Sequence, residues 1–275
     1  MHAAPDSRRV RLVRPGGWTR LINAGLDRSI AAAHTLRAFG RPLHPYFLVS
    51  DASVVLTLLL AAGFSRLVEG FTLSAFAFAF VFMQILYQGL YLATKQQLTG
   101  LKPKPCFSDM CFVVIPAWLL SAWLADLPMA AAADFAALSL ALVLAMRRLA
   151  SFFGGSHRGK PSRCGVRYEA EQLRRVRGWR EFDPRSKGNT GVRVLPLALI
   201  SSAVCFALFG ALSLRVLELG QPDGWALPRL LLSVSMYRFV EEFYREGHDP
   251  EAGLNSAQRL SVGLAVASAI ALYFS

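Results

Sequence analysis

Two short runs hold most of the side chains in this sequence that could do chemistry. The first reads Arg147-Arg148-Leu149-Ala150-Ser151-Phe152-Phe153-Gly154-Gly155-Ser156-His157-Arg158-Gly159-Lys160-Pro161-Ser162. Clustered glycines let backbone N–H groups approach an anion closely. Arginine and lysine add charge-assisted bonds to a phosphate. Such a turn at a membrane face suits a phospholipid headgroup. The same composition also serves a basic juxtamembrane loop that only sets topology.

The second run is Arg238-Phe239-Val240-Glu241-Glu242-Phe243-Tyr244-Arg245. On a helix, Arg238, Glu242 and Arg245 fall at i, i+4 and i+7 and share one face. Phe239 and Phe243 line a neighbouring face. Ionisable groups in or beside a membrane span are costly and often mark function. Intrahelical ion pairs at a helix end are the alternative. Weaker signals are Asp51, Asp134 (expected near a loop) and the pair Gln84/Gln88 with Tyr87 and Tyr91 nearby. The glutamines are expected to line an internal polar cavity or to bond between helices. The cysteines, Cys106, Cys111, Cys164 and Cys205, form no CxxC and have no accompanying His pair. They are expected to be packing residues or idle thiols, with no metal site and no cofactor.

These residues need elements to hold them, and the composition says which kind. Of 275 residues, 54% are hydrophobic and 17% are charged. A soluble domain carries about a quarter charged residues. The apolar residues gather in blocks, several approaching the roughly 20 residues that span a bilayer. Backbone groups in lipid must be satisfied internally, which makes the blocks helices. Seven are expected, at about 46–64, 71–93, 111–124, 129–146, 194–214, 227–244 and 260–274. The fold class is therefore all-α, a polytopic membrane bundle. Ahead of it, Trp18 to Phe39 places Trp18, Leu21, Ile22, Leu26 and Ile30 at helical spacing, with arginines elsewhere around the helix. That pattern fits an interfacial amphipathic helix or a helix packed on the protein body. The expected organisation is a basic extension over 1–44, flexible from Met1 to Pro15, and a transmembrane domain over 45–275. The stretch from Met1 to Arg41 holds eight arginines and no long apolar core, unlike a cleaved signal peptide.

The net charge of +12 would point to nucleic acid in a soluble protein. No nucleic-acid reader motif is present, and basic loops beside apolar spans set orientation or meet anionic lipid. Eight Lys and Arg precede the first expected span, three separate the second and third, and thirteen lie between Arg147 and Arg193. The positive-inside rule then places the N-terminus and the Gly-rich loop in the cytoplasm.

Together the two runs resemble the bacterial prolipoprotein diacylglyceryl transferase family. Its Arg-x-x-Asn-Phe stretch and Gly-Arg-Pro-Thr turn correspond here to Arg148–Phe152 and Gly159-Lys160-Pro161-Ser162, followed by Cys164-Gly165-Val166-Arg167-Tyr168. Its Arg-Phe-x-x-Glu-x-x-Arg run corresponds to Arg238, Phe239, Glu242 and Arg245. Its Gly-Gln-x-Leu-Ser stretch is matched by Ala257-Gln258-Arg259-Leu260-Ser261. The resemblance implies seven spans in a bacterial cytoplasmic (inner) membrane. It also implies transfer of a diacylglyceryl group from phosphatidylglycerol to the thiol of a lipoprotein precursor's signal-peptide cysteine. By the match, Arg148, Arg238 and Arg245 hold phosphate or a structural carboxylate, Gly159 belongs to the lipid-binding turn, and Glu242 orients an arginine or serves electrostatically. Ser151 stands where the family has Asn, Leu195 where it has His, Ser201 where it has Glu, and Val234 where it has Tyr. His157 and Glu242 are the expected catalytic substitutes, with Glu241 nearby. Arg158 beside His157 is expected to keep the imidazole neutral at pH 7. The alternative is a non-catalytic scaffold or complex subunit retaining the fold and a lipid groove. The family implies signature loops outside the cytoplasm and a C-terminus inside, the reverse of the charge rule.

Overall fold

The computed structural model describes residues 17–38, 41–42, 45–100, 109–169, 191–218, 222–247 and 253–274. The stretch from Met1 to Pro15, Cys106 and most of the basic stretch between Glu169 and Gly191 lie outside these. Helices dominate. They are α1 (Gly17–Thr35), α2 (Pro45–Leu67), α3 (Leu73–Thr99), α4 (Met110–Leu124), α5 (Met129–Phe153), α6 (Leu197–Glu218), α7 (Ala226–Tyr244) and α8 (Ser256–Phe274). Two small antiparallel pairs complete the fold: β1 (Arg37–Ala38) with β2 (Arg41–Pro42), and β3 (Pro161–Arg167) with β4 (Arg193–Val194). Helices α2 to α8 stand at the seven expected positions. Of these, α2, α3, α5 and α6 are long and apolar enough to cross a membrane, while α4 is apolar but shorter.

The hub is α5. Its alanines at 131, 132, 136, 137, 141, 145 and 150 are buried. Small side chains let neighbouring backbones come close where no hydrophobic drive joins helices in lipid. Accordingly α5 packs against α2, α4, α6 and α7, and α8 packs on α7. At the end where α5 begins, Phe64, Phe71, Phe76, Trp118 and Phe135 form an aromatic cluster with centroids 5.3 to 6.2 Å apart. The Trp118 indole N–H donates to the Ala132 carbonyl at 2.9 Å. The outward faces of α2 and α3 expose Val54, Val55, Leu58, Leu59, Phe78 and Val81, a surface suited to lipid rather than water.

Asp134 lies near the start of α5 and is fully buried. Its carboxylate accepts from Gly224 N–H at 3.1 Å and Ala226 N–H at 2.8 Å, capping α7 from another helix. Asp51 is exposed on α2. Gln88 donates to Gln84 at 3.0 Å on an exposed flank of α3. The expected internal cavity or interhelical bond is therefore replaced by a bond within one helix. The π-helical segments Ile85–Leu92 and Met110–Val114 lie beside a polar tie: Asp109 takes bonds from Tyr91 Oη at 2.8 Å and Lys95 Nζ at 3.0 Å.

Alternation of the helices puts the end of α5 at the same end of the bundle as the starts of α2, α6 and α8 and the ends of α3 and α7. Charge divides with it. Among the described residues only Arg66, Arg215 and Arg229 lie toward the other end, with Glu69, Asp126, Asp134, Glu218 and Asp223.

Candidate functional site

At the basic end, α5 runs to Phe153, so Arg147 and Arg148 are helical rather than part of a loop. A turn follows, and His157 within it has a φ of +54°, a region uncommon outside glycine and associated with functional constraint. The chain then enters β3, and α7 closes from the other side. Gly159 N–H donates to the Leu195 carbonyl at 3.1 Å, Lys160 N–H to the Tyr244 carbonyl at 2.9 Å, and Glu246 N–H to the Arg158 carbonyl at 3.0 Å. Three separate segments are thus joined through main chain. Glycine at 159 is what permits this, since a Cβ there would stand 2.8 Å from the Leu195 Cβ and 3.2 Å from the Tyr244 carbonyl oxygen. Gly165 is tighter still against Val194.

Beneath this roof lies a small polar cleft lined by Arg148, His157, Leu197, Arg238, Glu241, Glu242 and Arg245. It gathers five of the six expected site residues from α5, the turn and α7. The sixth, Gly159, is part of the roof. Arg148 meets Glu241 at 3.2 Å, with both side chains largely buried. The other Glu241 oxygen accepts from Ser201 Oγ at 2.6 Å, and Ser201 also bonds the Tyr237 hydroxyl at 2.9 Å. Glu242 pairs with Arg245 at 3.5 Å and accepts from the Asn255 amide at 3.0 Å. Asn255 is the N-cap of α8: its side chain accepts from Gln258 N–H at 2.9 Å, and the Gln258 side chain accepts in return from Asn255 N–H at 3.1 Å. This is a reciprocal capping box.

Burial pushes the His157 imidazole well below its ordinary pKa, and Arg148, Arg245 and Arg238 push it the same way. The expected neutral histidine is found, with a different set of cations. Arg158 pairs with Glu246 at 3.4 Å instead. Three guanidiniums, two carboxylates and one neutral imidazole therefore share the cleft. Such a set can accept a phosphate through the arginines and a proton through the imidazole.

Tyr237 and Asn255 are members that the sequence did not point to, and the bond between Glu241 and Ser201, both singled out there, was not foreseen. Glu241 sat beside Glu242 in the same run. Ser201 follows Leu197 by one helical turn on α6, a weak hint that it shares its inward face.

No curated protein matches the chain in a sequence search. The family model for prolipoprotein diacylglyceryl transferase matches residues 107–274, which is more than half of the chain and holds every residue of the cleft. Within the matched residues, Ser201 bonds the carboxylate of Glu241 on the facing helix. The chain belongs to the prolipoprotein diacylglyceryl transferase family.

Proposed function

We propose that the cleft binds the phosphate of a phosphatidylglycerol-type lipid and supports transfer of its diacylglyceryl group to a cysteine thiol of a lipoprotein precursor. In this reading Arg148, Arg238 and Arg245 hold the phosphate, and Gly159 shapes the turn that roofs it. Phosphate entering the cleft joins the carboxylates as a further partner of the arginines. His157 takes the thiol proton. The sulfur attacks the glycerol carbon that carries the phosphate, a C–S bond forms, and the C–O bond to phosphate breaks. Glycerol phosphate leaves with the bonding electron pair, its charge met by the arginines. Glu242, held by Asn255, orients Arg245. Helices α2 to α8 make seven crossings of a bacterial cytoplasmic membrane.

The observation that carries this is the meeting of three arginines and a neutral histidine in one cleft at the basic end of an apolar bundle. The test is complementation in cells depleted of their own transferase. Gain of a diacylglyceryl group on a precursor is expected, and its absence with well-inserted protein overturns the enzymatic reading. An Arg238→Ala variant is expected to lose co-purifying phosphatidylglycerol.

A second reading, a non-catalytic scaffold that keeps the lipid groove, is favoured by one observation. The cleft opens at the basic end, which the charge rule assigns to the cytoplasm, away from the face where a secreted precursor's cysteine emerges. A reporter fused at the C-terminus separates the two. An external C-terminus supports the scaffold, and an internal one supports the transferase and assigns the excess arginine to lipid phosphate.

A further inference from the structure

Helix α1 precedes the part of the chain that the family model matches, and the cleft makes no use of it. Its orientation is nonetheless fixed. The Asn23 side chain donates to the Arg163 carbonyl at 3.1 Å and accepts from Gly165 N–H at 2.8 Å. The Asp27 carboxylate accepts from Arg167 N–H at 3.0 Å and from the Arg193 guanidinium at 2.8 Å. Ile30, 1% exposed, enters a cluster with Phe152, Val166, Tyr168, Val194 and Ala198. One face of α1 is therefore fastened to the β3–β4 hairpin, and through it to the roof of the cleft.

The opposite face is then determined, and it is apolar. Trp18 is 82% exposed, Leu21 66% and Ile22 50%. They fall at i, i+3 and i+4, so they form one contiguous strip. A water-facing helix gains nothing from such a strip. A bilayer interface does, because Trp places an apolar ring and a polar N–H at headgroup level. The chain's own apolar helices put a bilayer within reach. The hairpin that holds α1 follows directly from the end of α5, which places α1 at that end of the bundle. The eight arginines between Met1 and Arg41 complement an anionic leaflet.

We propose that α1 is a membrane-surface seat. Its Trp18–Leu21–Ile22 strip lies in the interfacial layer of an anionic leaflet, and its Asn23–Asp27–Ile30 face holds the hairpin over the cleft. Seating α1 thereby sets the cleft at headgroup depth. The seat stands on its own contacts, so it survives failure of the transferase reading.

The test uses the full chain in nanodiscs of phosphatidylcholine and phosphatidylglycerol with brominated acyl chains. Trp18→Phe replaces the exposed indole with a phenyl ring and leaves the docked face untouched. The difference in fluorescence between wild type and Trp18→Phe isolates Trp18. Quenching of that component is expected to be at least about twofold stronger with bromines near the headgroup end of the chain than near its tail. In a second arm, Leu21→Glu with Ile22→Glu is expected to speed amide exchange in β3 relative to wild type in the same discs. A Trp18 component that no lipid bromine quenches overturns the proposal. So does shielding that appears only as protein concentration rises, which assigns the strip to a second copy.

Discussion

Glu241 carries a structural burden that its neighbour Glu242 does not share. Its carboxylate faces the Arg148 guanidinium and the Ser201 hydroxyl together, and both ionic side chains are nearly inaccessible. Removing one partner of such a pair leaves a buried charge uncompensated, at a cost of about 3–5 kcal/mol. Glu241→Ala is therefore expected to lower the melting temperature sharply in detergent. Ser201→Ala, which removes one bond to a charged group and one to the Tyr237 hydroxyl, is expected to cost only about 1.5–3 kcal/mol. Equal losses for the two variants would mean that Arg148 finds another partner. His157 supports a prediction about pH. Its folded pKa lies below its unfolded value of about 6.5, so the unfolded chain binds the extra proton first. Its contribution to stability is intact above about pH 6.5 and falls as pH drops toward the folded pKa. The melting temperature of wild type should decline over that window more steeply than that of His157→Asn, a residue that tolerates positive φ. Parallel declines would show that other groups carry the acid sensitivity.

Elements explain why some of this was legible in the sequence and some was not. Long apolar blocks announce helices through length alone, so α2 to α8 were visible with ends shifted by a few residues. Arg238, Glu242 and Arg245 were visible because helical spacing puts them on one face of a single element. Glu241 with Ser201, and Asn23 with Gly165, join residues far apart in the chain, and no local pattern encodes such a meeting. The β3–β4 hairpin was hidden for a different reason. Its strands lie in a polar stretch without apolar alternation, and they owe their place to main-chain bonds of the preceding Gly159 and Lys160 with Leu195 and Tyr244 and to the Asn23 side chain of α1. Gly159 is the point where this depends on one atom. Gly159→Ala is expected to push the turn from Leu195 and from the end of α7, because its new Cβ meets the Leu195 Cβ at 2.8 Å and the Tyr244 carbonyl oxygen at 3.2 Å. Helical circular dichroism should stay near wild type while co-purifying phosphatidylglycerol falls severalfold. Retained lipid would mean that the turn gives way without moving the arginines.

At the scale of the whole molecule the question is how many times the chain crosses the bilayer. Four helices qualify by length and composition, α4 is short, and α7 and α8 are more polar. Packing sets α7 along α5 and α8 along α7. Asp134 near the start of α5 caps the start of α7, while Arg148 near the end of α5 meets Glu241 near the end of α7. Helix α7 therefore runs the length of α5, a helix long and apolar enough to cross. On α8, Gln258, Ser261 and Ser268 are all buried, and α7 is the element it packs against. These three polar groups thus face protein rather than lipid, as intramembrane polar residues generally do. Helix α4 begins with a π-helical turn and is tied to α3 through Asp109 and Lys95. The seven crossings proposed above would place the two termini on opposite sides of the membrane. Reporters fused separately at the N- and C-termini are expected to give opposite signals, whichever way the protein is inserted. Matching signals would remove one crossing, and α4, the shortest, is the helix that would then lie within one leaflet.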